Sequence, residues 1–169
     1  MAEENQSNGA NTANPTNPTE PQFAPQVVYL KDVSYEAPMG PRLPENATNP
    51  NVNMNLNTQV AQLGPELFEV TLKINVESTA ADKTLWLCEV QQAGAFAARN
   101  IAEGELRRIL GVYCPNYLLP FARQAISDML VKGGFPPFLV PPVNFDALYD
   151  QAQAEQAQGN ATPPQPTVN

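Results

Sequence analysis

Histidine is absent from the chain's 169 residues. With it go the usual general base and the commonest metal ligand near neutral pH. Cysteine is nearly as scarce: Cys88 and Cys114 are the only two, each among apolar neighbours. They read as reduced core residues, with a Cys88–Cys114 disulfide as the alternative, and two sulfurs without histidine make no zinc site. No GxSxG, GxGxxG or P-loop motif occurs, so nucleophile elbows and phosphate-binding loops are excluded. Glu103 and Glu105 could pair as acid and base. Their simpler role is to open a helix, where acids complement the dipole. An enzyme is disfavoured, and no cofactor or metal is expected.

Positive charge is also short. The chain has nine Lys and Arg against seventeen Asp and Glu, a net charge of −8, and every basic residue lies between Lys31 and Lys132. Six acids (Glu3, Glu4, Glu20, Asp146, Asp150 and Glu155) fall outside that span. Nucleic acid requires a basic patch and is excluded as a partner, whereas an acidic surplus suits a basic one. No apolar run is long enough to cross a bilayer, and the acidic, polar N-terminus has no signal-peptide core. The expectation is a cytoplasmic protein. Asn5-Gln6-Ser7, Asn46-Ala47-Thr48 and Asn160-Ala161-Thr162 match glycosylation acceptors, which mean nothing without secretion.

Proline, by contrast, is abundant, with 18 residues, most of them clustered at the two ends and in two internal stretches. Residues 1–25 and 153–169 are Asn, Pro, Thr, Gln and Ala-rich and are expected to be disordered tails around a domain spanning 26–152. Within it, period-two alternation predicts four antiparallel strands. The first, 26–36, carries Val27, Tyr29, Lys31, Val33 and Tyr35 on one face and Val28, Leu30, Asp32, Ser34 and Glu36 on the other. Prolines 38, 41, 44 and 50 make 38–51 a long crossing connection. The second strand, 52–62, turns Val52, Met54, Leu56 and Val60 one way and a row of Asn and Gln the other. The third, 66–79, buries Phe68, Val70, Leu72, Ile74 and Val76. After an Ala80–Lys83 hairpin turn, the fourth, 83–93, alternates Trp86, Cys88 and Val90 with Leu85, Leu87, Glu89 and Gln91.

The period then becomes helical. Leu106, Ile109, Leu110 and Tyr113 recur over 103–113, and Cys114-Pro115-Asn116 is expected to interrupt or kink the helix. Leu118, Phe121, Ala122, Ala125, Ile126, Met129 and Leu130 form a strong stripe over 117–132, stopped by Gly133-Gly134. Asn144 is placed to cap a last helix, 144–156, with Phe145, Leu148, Tyr149 and Ala152 on one side. Strands followed by helices indicate an α+β fold with helices covering one sheet face. Asp32, Glu36, Leu87 and Glu89 fall on the other.

Three segments resemble the bacterial export chaperone family SecB. They are Lys31-Asp32-Val33-Ser34-Tyr35-Glu36-Ala37-Pro38; then Leu87-Cys88-Glu89-Val90-Gln91-Gln92 with Gly94 and Phe96; then Gly111-Val112-Tyr113-Cys114-Pro115-Asn116 through Leu119-Pro120-Phe121-Ala122-Arg123, Gly134-Phe135-Pro136 and Pro142-Val143-Asn144-Phe145-Asp146-Ala147-Leu148. In order and spacing the likeness covers about residues 26–150. It implies a four-stranded antiparallel sheet with two helices on one face, assembled as a homotetramer, a dimer of dimers. It implies an ATP-independent chaperone that holds precursors unfolded and passes them to the SecA motor. SecA's docking surface then corresponds to Asp32, Glu36, Leu87 and Glu89. The client groove takes Met39, Leu43, Phe135, Phe138, Phe145, Leu148 and Tyr149, although helical spacing makes core packing the plainer role for Phe145 and Leu148. The oligomer interface takes Leu106, Ile109, Leu110, Leu118, Phe121 and Ile126; a monomeric core is the alternative. A SecB-like chaperone dedicated to a single client, such as a toxin–antitoxin pair, is the second functional reading.

Overall fold

A computed structural model describes residues 19–44 and 49–159; the three glycosylation-type tripeptides and most of both expected tails lie outside it. The chain forms β1 (Gln22–Glu36), β2 (Asn51–Gly64), β3 (Leu67–Ala80) and β4 (Lys83–Arg99), then α1 (Glu103–Arg108), a π-helical segment (Ile109–Tyr113), α2 (Cys114–Lys132) and α3 (Phe145–Gly159). The strands make one antiparallel sheet in the order β1-β4-β3-β2. The architecture is the expected α+β arrangement. Three boundaries move outward: residues 22–25, compositionally tail-like, pair with β4, β4 itself runs on to Arg99, and α3 runs on to Gly159.

The inner face is built as the alternation predicts. Val70, Leu72, Ile74 and Val76 of β3 and Cys88, Val90 and Phe96 of β4 are fully buried, and α2 lies across β4 and β3 with Leu118, Ala122, Ile126 and Leu130 against them. Burying such aliphatic side chains contributes roughly 1.5–3 kcal/mol each. The outer face, free of helices, carries the polar residues of β2, β3 and β4.

β1 departs from simple alternation. Its register against β4 slips between Leu30 and Asp32, where Lys31 is the extra residue of a bulge, and again between Pro25 and Val27. A one-residue slip exchanges the faces. Val33 and Tyr35 therefore face the helices as expected, but Val27 and Tyr29 lie opposite Ala95 and Ala93 on the outer face, and Val28 joins the core. Gln92 is buried and donates to the Tyr29 carbonyl at 2.8 Å, satisfying backbone beside the bulge.

The interruption or kink expected at Cys114-Pro115 takes the form of a π turn just before it, not an end of the helix. The helix passes through the π turn and continues, with Pro115 in the first turn of α2. Proline lacks an amide to donate, and the wider turn just before it absorbs the lost i→i−4 bond without ending the helix. Pro120 likewise sits inside α2.

Candidate functional site

Cross-strand register decides what the outer face presents. Leu87 of β4 lies opposite Glu36 on β1 and Glu77 on β3. The next row on that face is Ser34, Glu89 and Asn75, and the one after it Asp32, Gln91 and Lys73. The structure thus brings Asp32, Glu36, Leu87 and Glu89 onto one contiguous surface. Asp32 and Glu36 are exposed and Leu87 and Glu89 half-buried. Glu89 is ion-paired with Lys73 at 2.6 Å, Asp32 accepts weakly from the Gln91 amide at 3.4 Å, and Glu77 accepts from the Thr84 hydroxyl at 2.9 Å. Among the described residues Glu36 and Glu77 have no cationic partner. The surface is a half-exposed leucine ringed by carboxylates, suited to a basic segment carrying an apolar side chain. Glu77 and Lys73 are members that the family resemblance does not supply. Their outward position on β3 was available from its alternation; their place beside Leu87 needed the register.

The expected groove residues divide among three places. Phe145, Leu148 and Tyr149 line a cavity of about 560 Å³ between β2, the π segment and α3, whose opposite wall is Leu56, Thr58 and Val60. Phe145 forms its floor, only 2% exposed, so it is core as well; Leu148 is 42% exposed and does not serve the core alone. Met39 and Leu43 line a separate open depression of the crossing connection with Pro38, Gly40 and Arg42. Phe135 and Phe138 line neither. They pack on the core, Phe138 with its ring centre 6.1 Å from that of Trp86. The connection meets the end of α2 at Gly134, where an added Cβ would lie 3.1 Å from the Pro41 ring, and beside it Gly133 lets the Tyr35 ring of β1 approach so closely that a Cβ would lie 1.8 Å from its hydroxyl oxygen.

The residues assigned to an oligomer interface also separate. Leu110, Leu118 and Ile126 are buried within the chain's own core and present no surface. Helical spacing alone does not distinguish the two sides of so apolar a helix. Leu106 and Ile109 are half-buried against the core, whereas Phe121 is 43% exposed. On its side of the helix lie Tyr113 and Val131, also exposed, and the rings of Tyr113, Tyr117 and Phe121 follow one another at 6.2 and 6.1 Å. At the β1 edge Val27 and Leu30 are exposed too.

Nucleophilic chemistry finds no support in the thiols. Burial pushes Cys88 up to about 11 and Cys114 up to about 12, so both are protonated at neutral pH and shielded. Among the described residues no three Asp, Glu or Cys converge as a metal cluster, and no helix is long and apolar enough to cross a membrane.

The family model described as preprotein translocase subunit SecB matches residues 16–156. A curated relative from Methylococcus capsulatus, "Protein-export protein SecB", is 45% identical over 166 residues, covering 98% of this chain and 99% of its own. Among solved structures, the Mycobacterium tuberculosis SecB-like chaperone Rv1957, in complex with a ChAD peptide from the antitoxin HigA1, superposes with a TM-score of 0.59. It is 15% identical, covering 72% of this chain and 90% of that one, and so shares the fold.

Proposed function

This chain belongs to the SecB family of protein-export chaperones, and we propose that it keeps precursor proteins unfolded in the cytoplasm, without ATP, and delivers them to the SecA motor. The observation that carries the delivery half is the outer-face surface. Leu87 stands among Glu36, Glu77, Glu89 and Asp32, with the helices on the far side of the sheet. A basic docking segment places an apolar side chain over Leu87 and its cations over the carboxylates. Glu89 is shared with Lys73, and docking redistributes that pair rather than desolvating a lone charge.

The holding half uses the cavity against α3 and the depression of the crossing connection. An unfolded chain offers apolar side chains and extended backbone, so apolar hollows suffice and no catalytic group is needed. The family is a non-enzymatic one. Assembly as a homotetramer, a dimer of dimers, uses the exposed side of α2 at Tyr113, Phe121 and Val131 with the β1 edge at Val27 and Leu30. Each is a large apolar side chain left in water by the isolated subunit.

The test is retention. Several unrelated precursors are diluted from denaturant into the purified protein without nucleotide, and their refolding rates and SecA-dependent release are followed. Slowed refolding of all of them, with transfer to SecA, is the expected result. Retention of one client alone would support the dedicated-chaperone reading instead.

A further inference from the structure

The α3 wall of the cavity is fastened in two unlike ways. At its start Phe145 is buried, and the Asn144 side-chain oxygen accepts from the Ala147 amide at 3.1 Å, so the first turn is anchored by burial and a cap. From the first turn and the one after it, charged contacts converge on a single residue of α1. The Arg108 guanidinium donates to Asp146, ion-pairs with Asp150 at 3.5 Å, and stands 6.0 Å from the centre of the Tyr149 ring. Tyr149 itself lies over Gly111 of the π segment, where a Cβ would be 2.6 Å from the ring. Beyond Asp150, residues 151–155 are exposed, yet Gln151, Ala152, Gln153 and Glu155 still line the cavity.

The two fastenings respond differently to solvent. The Arg108, Asp146 and Asp150 side chains are 52%, 54% and 68% exposed. Ion pairs so exposed contribute about 0–1 kcal/mol each and weaken with salt, because the Debye length falls to about 8 Å at physiological ionic strength. Burial of Phe145 has no such dependence. Weakening the charged contacts therefore leaves α3 held by Phe145 and by the Tyr149 ring on Gly111, with the exposed residues 151–155 free to swing from Leu56 and Val60 on the opposite wall.

We propose that Arg108 is a positioning residue, a charge latch that holds α3 as the outer wall of the cavity and makes the width of the client groove depend on ionic strength. The proposal rests on the reading of this cavity as a client groove. A client that inserts a bulky apolar side chain favours the open arrangement, and so binds more tightly where the latch is weak.

The experiment uses the full chain with Gln59→Cys on β2 and Gln153→Cys on α3, both exposed positions, spin-labelled and diluted into excess unlabelled chain. Distances are read by double electron–electron resonance at about 20 mM and about 500 mM NaCl, conditions that change the Debye length severalfold. A narrow distribution at low salt that lengthens and broadens at high salt is expected. Arg108→Gln should give the broad distribution at both. Arg108→Asp combined with Asp146→Arg and Asp150→Arg should restore the narrow one at low salt. A distribution unaffected by salt and by Arg108→Gln would overturn the latch. In parallel, an uncharged peptide with phenylalanine at alternate positions is titrated at both salts. Its affinity should rise about threefold more with salt in the wild type than in Arg108→Gln, the size expected for exposed pairs; equal slopes count against the latch. Absence of peptide binding altogether would remove the groove reading, while the label distances still judge the latch.

Discussion

Glu69 shows how a single carboxylate on the outer face ties β1 to β3 across β4. It accepts from the Tyr29 hydroxyl and from the Lys31 ammonium, the residue of the bulge. The Lys31 bond first, and the Tyr29 bond second, hold its carboxyl below the ordinary range, while the same contact raises Tyr29. A carboxyl depressed in the folded state adds stability that is complete above its unfolded pKa and lost as pH falls through the folded one. Acidification from about pH 5 to about pH 3 should therefore lower the melting temperature of the wild type more than that of Glu69→Gln. Identical slopes would show that the contact adds nothing. No local signal predicts this triad: simple alternation puts Tyr29 on the same side as Val33, and only the slip at Lys31 turns it toward Glu69.

At the scale of elements, the turn that joins α1 to α2 also seats α3. Gly111 gives the Tyr149 ring room that any Cβ would fill. Gly111→Ala should force the ring and the first turn of α3 outward, costing about 1–3 kcal/mol as overpacking does. With Tyr149→Ala already present the clash is gone, and the same Gly111→Ala should instead stabilise by up to about 1 kcal/mol through helix propensity. Denaturant titration of the four proteins checks the change of sign, and a Gly111→Ala effect equal in both backgrounds would disprove the contact. Elements were legible where one period governs a whole segment, as in β3 with Phe68, Val70, Leu72, Ile74 and Val76. They were less legible where the chain changes register. The bulges of β1 and the π turn before Pro115 each insert a residue, and neither leaves a local composition cue. The shared face of Asp32, Glu36, Leu87 and Glu89, the proposed docking surface, was legible because all four lie on the far side of both slips. The cavity proposed as a groove was only partly so, since Phe135 and Phe138 are as apolar as Leu148 but turn inward.

For the whole molecule, the exposed aromatic side of α2 and the exposed apolar residues of the β1 edge leave large apolar side chains of the isolated chain in water. Light scattering should give a mass near four subunits. Phe121→Asp should reduce that mass without unfolding the chain, because Phe121 is not enclosed by its own subunit; a wild-type monomer at micromolar concentration would contradict the proposed assembly. Of the residues that the family resemblance assigns to an interface, Leu118 and Ile126 are core. An apolar stripe does not say which of two coverings it meets. The surplus of negative charge is better placed, since much of it meets on the side of the sheet that the helices leave free.

The most direct test of the account is the affinity of SecA for the wild type and for the Asp32→Lys, Glu89→Lys variant, measured by titration calorimetry with a precursor already bound. The variant should lose SecA affinity by at least about tenfold, as expected where paired surface charges are reversed, while keeping its assembly and its precursor. Unchanged SecA affinity in an intact variant would contradict the proposed docking surface.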